Sequence, residues 1–342
     1  MFKELNPEKD TIIIAEVGQN HQGDLETAKD YIKIFAHEGA DVIKFQTRDN
    51  KYLFSKDAYE KKYDNPNSFG ESYGEHRESL ELKNEWLDIL RDECSKYNVK
   101  FMSTPFDEPS LDLLVEKGVE ILKVASFDVG NTPFLERIAS KNIPTVLSIG
   151  GGQAHQIETS IRVFEEFNTE LAVLHCVSEY PCEFNRLGLE NIKKLKNIYP
   201  HHTIGLSDHF NGILSGPVAF LEGARVFEKH VTLNRAWKGS DHSFALEPSG
   251  FKKFVRDINR VKSMFQEKSK DELGKEPVFQ KLGKSIIAYK HIKKGETITR
   301  DKLSGKIFKD KFIPVREAET LIGKIALKDI EINEPISTSD LR

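Results

Sequence analysis

Short apolar runs recur along the chain, separated by amphipathic stretches, and almost every run ends in a reactive side chain. The runs IIIAEVGQNH (Ile12–His21), VIKFQT (Val42–Thr47), FMSTPF (Phe101–Phe106), ILKVASFD (Ile121–Asp128), TVLSIG (Thr145–Gly150), LAVLHC (Leu171–Cys176), TIGLSDH (Thr203–His209) and RVFEKH (Arg225–His230) predict eight strands. After the first, Asp24 can cap a helix to about His37, with Leu25, Ala28, Ile32 and Phe35 on one face and Gly39 at its end. Further helices are expected near 84–97, 109–116, 133–140, 156–167, 189–198, 212–222 and 250–267. Strand–helix alternation favours parallel pairing, since each crossover needs a helix to return the chain. A doubly wound open sheet is the rival architecture, but eight units within roughly 260 residues suit a closed (β/α)₈ TIM barrel, whose chemistry lies at the carboxyl ends of its strands.

Two segments break this rhythm. Residues 48–79 form a long insertion rich in aromatic residues, of the kind that serves as a lid, a binding loop or a mobile segment. After Ser269 the texture changes to short apolar runs broken by KKGE, Gly323 and NEP, which suggests a small β-rich domain. The expected organisation is a barrel over 1–268, a linker over 269–281 and a β-rich domain over 282–342.

The chain has 342 residues, a net charge of −4 and 30% charged residues. This balance argues against a nucleic-acid partner, which needs a basic patch or stripe. No apolar run is long enough to span a membrane and the N-terminus lacks a secretory h-region, so a cytoplasmic protein is expected. Cys94, Cys176 and Cys182 make no disulfide framework, and Cys176 reads as a buried small hydrophobe.

Three constellations carry candidate chemistry. His209 and His230 end consecutive predicted strands, and neighbouring strands lie under about 5 Å apart, so both imidazoles can reach one divalent ion. Asp208 and Asp241 lie near them in sequence as supporting or acid–base groups. The alternative is a pair of hydrogen-bonded structural histidines. Lys44 and Lys123 sit mid-strand in apolar runs, which a buried ammonium tolerates only beside an anion. With the strand-end hydroxyls of Thr104, Ser126 and Ser148, and the backbone of Gly150–Gly152, they suggest a phosphorylated or carboxylated ligand. The alternative is a stabilising Lys–carboxylate pair, for example with Glu16. Glu16 and Asp128 place carboxylates at two more strand ends, as acid–base groups or as inert ion-pair partners.

The pieces IIAEVGQNHQGD, ADVIKFQT, FMSTPFD, LKVASFD, LSIGGG, LHCVSEYP, IGLSDH, FEKHVTLN and KGSDHSFALEP occur in one order over about residues 11–265. Together they resemble the N-acetylneuraminate (sialic acid) synthase family. The tail, from KSIIAYKHIKKGETITRDKL to LIGKIALKDIEINEPI, resembles that family's antifreeze-like (SAF, β-clip) domain. The resemblance implies condensation of phosphoenolpyruvate with an N-acetylated aldose, N-acetylmannosamine or a related acetamido sugar, to a nonulosonic acid plus phosphate. It implies Mn²⁺, or another divalent ion such as Mg²⁺ or Co²⁺, on His209 and His230. It implies phosphoenolpyruvate on Lys44, Thr104, Lys123, Ser126 and Ser148, and the sugar and metal near Gln46, Asp128, Tyr180, Ser207 and Asp241. Ser178 stands where the family often has Asn, and Glu16 matches a carboxylate near the reacting centre. A domain-swapped homodimer is also implied.

Two departures stand out. The family's Ser-Gly-Glu is here Ser126-Phe127-Asp128, and the antifreeze-like domain's Arg-Pro-Gly stretch is replaced by Gly305-Lys306-Ile307-Phe308-Lys309. Lysine is a less directional substitute for a guanidinium. Two other functions fit some of the same residues. One is a Schiff-base aldolase using Lys44 or Lys123. The other is a catalytically degenerate sugar-binding protein.

Overall fold

A computed structural model describes residues 1–6, 10–265 and 267–342. The chain divides into two compact units, Met1–Phe265 and Gln266–Arg342.

In the first unit, eight parallel strands close into a barrel in chain order. They are β1 (Ile12–Gly18), β2 (Val42–Thr47), β3 (Lys100–Pro105), β4 (Ile121–Val124), β5 (Thr145–Ser148), β6 (Leu171–Cys176), β7 (Thr203–Asp208) and β8 (Val226–His230). β1 pairs with β8 as well as β2, which removes both sheet edges. The first helix, Leu25–His37, begins where Asp24 accepts from Thr27 N at 2.7 Å, and it buries Ala28, Tyr31, Ile32 and Phe35. Gly39, at φ +98°, follows its last turn.

The barrel interior is built in tiers. Ile12, Ile14, Val42, Met102, Ile121, Val146, Ala172, Leu174 and Val226 form an apolar floor, with Phe2 packed against them. Gly205 completes this tier by absence of bulk. A Cβ there would meet Val226 O at 2.1 Å and Leu174 Cδ2 at 2.5 Å. A separate and larger apolar cluster fills the space between the strands and the surrounding helices. Since side chains alternate along a strand, the next inward position lies two residues beyond each floor residue.

The insertion after β2, expected as a lid, a binding loop or a mobile segment, has secondary structure of its own. It holds three short helices, Asn50–Leu53, Lys56–Glu60 and Tyr73–Glu78. Asp49, Ser55 and Ser72 cap them, and Ser72 with Glu75 forms a reciprocal capping box. Tyr73 packs edge-on to Phe54 and Tyr63, at 5.3 and 5.2 Å between ring centroids, which gives the insertion its own apolar anchor. Gly74 is required there, because a Cβ would lie 2.4 Å from the Tyr59 ring.

In the second unit, β9 (Ser285–Ala288) pairs antiparallel with β10 (Leu303–Lys306). Isolated bridges join Ile292 to Ile330, Thr297 to Ile325 and Ala326 to Leu341. Ile286, Ala288, Ile292, Ile298, Leu321, Ala326, Ile330 and Ile336 form its core, which shares no residue with the barrel's clusters. The stretch expected as linker carries a short helix, Pro277–Leu282. Among the described residues no helix is long and apolar enough to cross a membrane.

Candidate active site

Two residues beyond the floor, every strand turns polar. The positions are Glu16, Lys44, Thr104, Lys123, Ser148, Cys176, Ser207 and Glu228, one from each strand in order, and all of them line a single cleft of about 580 Å³. A further step of two adds Gln46 on β2, His230 at the end of β8 and His209 just past β7. Ser126, Tyr180 and Asp241 join from the following loops. The volume is that of a small-molecule site.

The floor of the cleft is a charge quartet. Lys44 Nζ lies 2.8 Å from Glu16 Oε2 and 3.6 Å from Glu228 Oε2, and Lys123 Nζ lies 4.0 Å from Glu228 Oε1. All four side chains are buried. Burial alone would raise the Glu228 carboxyl, but the ammonium groups of Lys123 and Lys44 outweigh it and hold the group at about 2. Glu16 is pushed up to about 7 by burial, because only Lys44 opposes that effect strongly and the Glu228 charge adds to it. Burial alone would lower Lys44, yet Glu16 and Glu228 keep it above its usual value. Lys123 is lowered, mainly by burial.

The structure brings together both histidines. Their ring centroids are 5.3 Å apart. His209 Nδ1 bonds to Val177 O at 2.8 Å, which fixes the ring with Nε2 free of that contact. His230 Nδ1 is buried without a hydrogen-bond partner among the described residues, and Asp241 Oδ2 lies 3.8 Å away. Burial pushes the His230 imidazole down, toward the neutral form that a metal needs. Among the described residues no three His, Cys, Asp or Glu side chains are grouped to cage an ion. Two imidazoles at this spacing are the side chains in the cleft that could hold a divalent ion. The Tyr180 ring lies against His209, tilted by 37° with the ring centroids 4.0 Å apart.

Other expected residues are placed differently. Asp128 does not line the cleft. The strand ends at Val124, and a 3₁₀ turn at Ser126–Asp128 carries the carboxylate aside, where it accepts from Asn131 Nδ2 at 2.9 Å. Ser178 opens onto an adjoining hollow of about 600 Å³ that shares Cys176 with the cleft. Asp208 points outward to Lys229, at 2.6 Å, because it alternates with the inward Ser207. In the glycine run, Gly150 N already donates to Ser126 Oγ at 3.0 Å and Gly152 N to Ile149 O at 3.3 Å, so neither amide is free as a phosphate donor. Cys176 does not act only as a small hydrophobe. It lines the cleft, 3.9 Å from His209 Nδ1.

Sequence reasoning passed over Glu228, Arg48, Arg77 and Gln19, all of which line the cleft. Glu228 was legible as the inward residue between Val226 and His230. Arg48 is a second-order feature. Its guanidinium pairs with Glu81 at 3.0 Å, stacks on Phe106 at 3.9 Å and bonds Gln46, which itself donates to Glu16 Oε1 at 2.7 Å.

Ammonium groups, convergent hydroxyls and two imidazoles thus meet at the carboxyl ends of the strands of a closed parallel barrel, the face on which barrel enzymes carry their sites. Residues 31–270 match the NeuB family. The chain is 35% identical over 325 residues to N-acetylneuraminate-9-phosphate synthase of Homo sapiens, covering 95% of this chain and 90% of that protein. It is 36% identical over 333 residues to N,N'-diacetyllegionaminic acid synthase of Campylobacter jejuni, covering 96% and 99%. The crystal structure of N-acetylneuraminic acid (sialic acid) synthetase from Leptospira borgpetersenii in complex with citrate aligns with a TM-score of 0.69 at 34% identity, over 78% of this chain and 90% of that one. The chain belongs to the NeuB family of sialic acid synthases.

Proposed function

We propose that the chain condenses phosphoenolpyruvate with an N-acetylated aldose to give a nonulosonic acid and inorganic phosphate. The observation that carries this reading is the meeting of Lys44, Lys123, His209 and His230 in one cleft. Lys44, Lys123, Thr104, Ser126 and Ser148 hold the carboxylate and phosphate of phosphoenolpyruvate. Ser148 Oγ is buried without a hydrogen-bond partner among the described residues, in keeping with a donor reserved for ligand. His209 and His230, with Asp241 beside them, hold a divalent ion such as Mn²⁺. That ion supplies Lewis-acid polarisation of a carbonyl oxygen.

The carbon–carbon bond forms between the methylene of phosphoenolpyruvate and the aldehyde carbon of the open-chain sugar. Water adds at C2, the C–O bond to phosphate breaks, and the sugar oxygen gains a proton. Glu16 is the proton carrier best suited to these exchanges, since its carboxyl is raised to about 7 at the floor of the cleft. Gln46 fixes its orientation by the bond to Oε1. Holding both reactants in one cleft contributes several kcal/mol by removing the entropy of encounter. The second unit is read as an antifreeze-like domain. A lysine Schiff base is disfavoured at Lys44, which Glu16 and Glu228 keep as an ammonium rather than a free amine.

The test mixes protein, Mn²⁺ and phosphoenolpyruvate with N-acetylmannosamine, its 6-phosphate, or 2,4-diacetamido-2,4,6-trideoxyhexoses. One of them should yield phosphate and keto acid in equal amounts. EDTA should abolish the reaction and added Mn²⁺ restore it, while borohydride traps no adduct. No product with any of these acceptors would overturn the reading.

A further inference from the structure

Gln46 stands between two charged groups, and one of its two amide orientations satisfies both. Its Nε2 donates to Glu16 Oε1 at 2.7 Å, and its Oε1 accepts from Arg48 Nη2. A guanidinium has five N–H donors and no acceptor, so the amide atom that faces Arg48 has to be the oxygen. The nitrogen is then left for Glu16. Turning the amide over would set donor against donor at Arg48 and acceptor against acceptor at Glu16. Lys44 Nζ faces the other carboxylate oxygen, Oε2, at 2.8 Å, so Glu16 is held from two sides. Gly18 leaves room for this arrangement. The register of β1 shifts between Glu16 and Gly18, and a Cβ on Gly18 would lie 3.2 Å from Glu16 Oε1 and 3.3 Å from Gln46 Nε2.

Arg48 is itself fixed. Its Nη1 meets Glu81 Oε1 at 3.0 Å, and its guanidinium lies 3.9 Å from the centroid of the Phe106 ring. One arm of the fork is thus spent on an ion pair, and the other reaches Gln46. Lysine could pair with Glu81, but its single nitrogen lacks the planar fork that serves two partners in fixed directions. With the carbonyl of Gln46 taken by Arg48, the amide meets Glu16, and any ligand in the cleft it lines, as a donor alone. A carboxyl that takes and returns a proton depends on such fixed geometry, because a displacement of about 1 Å at a reacting group can cost on the order of 10²-fold in rate.

We propose that Arg48 is a positioning residue for the reaction: by holding Gln46 Oε1 it keeps the amide N–H on Glu16, and so fixes the carboxyl that carries the proton. This rests on the condensation reading of the same cleft. The test compares keto-acid formation by the full-length, Mn²⁺-loaded wild type and R48K, with phosphoenolpyruvate and whichever acetamido sugar is turned over. In R48K, kcat should fall by about 10–100-fold, while KM for each substrate changes by less than about 3-fold. A raised KM at unchanged kcat would make Arg48 a substrate contact and overturn the proposal. An unchanged kcat per folded molecule would make it purely structural and overturn it as well. In a Q46M background the relay is already cut, so R48K should cost less than about 2-fold more, and a full second loss overturns the proposal. Should R48K fail to fold, R48M/E81Q leaves no buried carboxylate stranded. The same fall in kcat is expected there, and an undiminished kcat overturns the proposal. Melting temperatures give a readout independent of turnover. The losses in R48K and Q46M should be less than additive in the double variant, and additive losses overturn the proposal. Absence of keto acid with every sugar counts against the condensation reading, while the melting cycle still decides whether Arg48 acts through Gln46.

Discussion

Strands β7 and β8 carry buried charges on both faces, and the two faces are finished differently. On the outer face Lys229 Nζ donates to Asp208 Oδ2 at 2.6 Å, and Asp208 also accepts from Phe210 N at 2.9 Å and from the Ser215 hydroxyl. On the inner face Glu228 accepts from Ser207 at 3.0 Å but meets Lys44 and Lys123 only at 3.6 and 4.0 Å. The inner ring also leaves His230 Nδ1 and Ser148 Oγ without hydrogen-bond partners among the described residues. Buried polar atoms are nearly always satisfied, so the outer cluster is complete in itself, while the inner one leaves polar atoms open, as the proposed ligand reading requires. Adjacent residues in the sequence, Glu228 and Lys229, thus belong to different tasks.

The contrast can be broken from the inside first. Lys123→Met removes one cation of the cleft, and phosphate release should fall by about 10²–10³-fold, with little loss of stability because Glu228 keeps Lys44 and Ser207. Steady-state kinetics beside thermal melting decide this, and an unfolded variant would contradict it. Lys229→Met should do the reverse. It strands Asp208 and should cost about 3–5 kcal/mol in urea unfolding. Any loss of turnover should follow the folded fraction, and a stable but inactive variant would erase the distinction.

The smallest effect concerns pH. The folded protein holds the Glu16 proton up to about 7, against an ordinary value of 4.5. Between those values the folded state binds a proton that the unfolded chain has released, so stability falls as pH rises through the window and levels off above it. Relative to Glu16→Gln, which cannot titrate, the wild type should lose on the order of 3 kcal/mol across that window. Unfolding curves of the two proteins that run parallel with pH would refute the assignment.

Much of this was legible in the chain because a strand of period two is a local object. The eight runs marked the eight strands; lysines embedded in two of them marked Lys44 and Lys123, and the polar ends of two others marked His209 and His230. Glu228 was equally legible by alternation, but a charged pair reading Glu-Lys looks like surface until the barrel closes around it. Asp128 was read as a strand end because the apolar run continues to Phe127, whereas the backbone turns at Ser126 and leaves the Phe127 ring 76% exposed at the rim. Ser72 and Glu75 spell a capping box, so the helix bearing Arg77 was within reach of the sequence. Its bond to Gln19 spans 58 residues and has no local signature.

The stacking of one polar ring directly on one apolar ring has a consequence for how such a protein changes over time. Each strand gives the cleft a letter two places after one that belongs to the scaffold. Ser148 or Cys176 can therefore be exchanged without disturbing Val146 or Leu174 beneath it. New substrates can be explored one strand at a time, while the architecture that displays them is inherited intact.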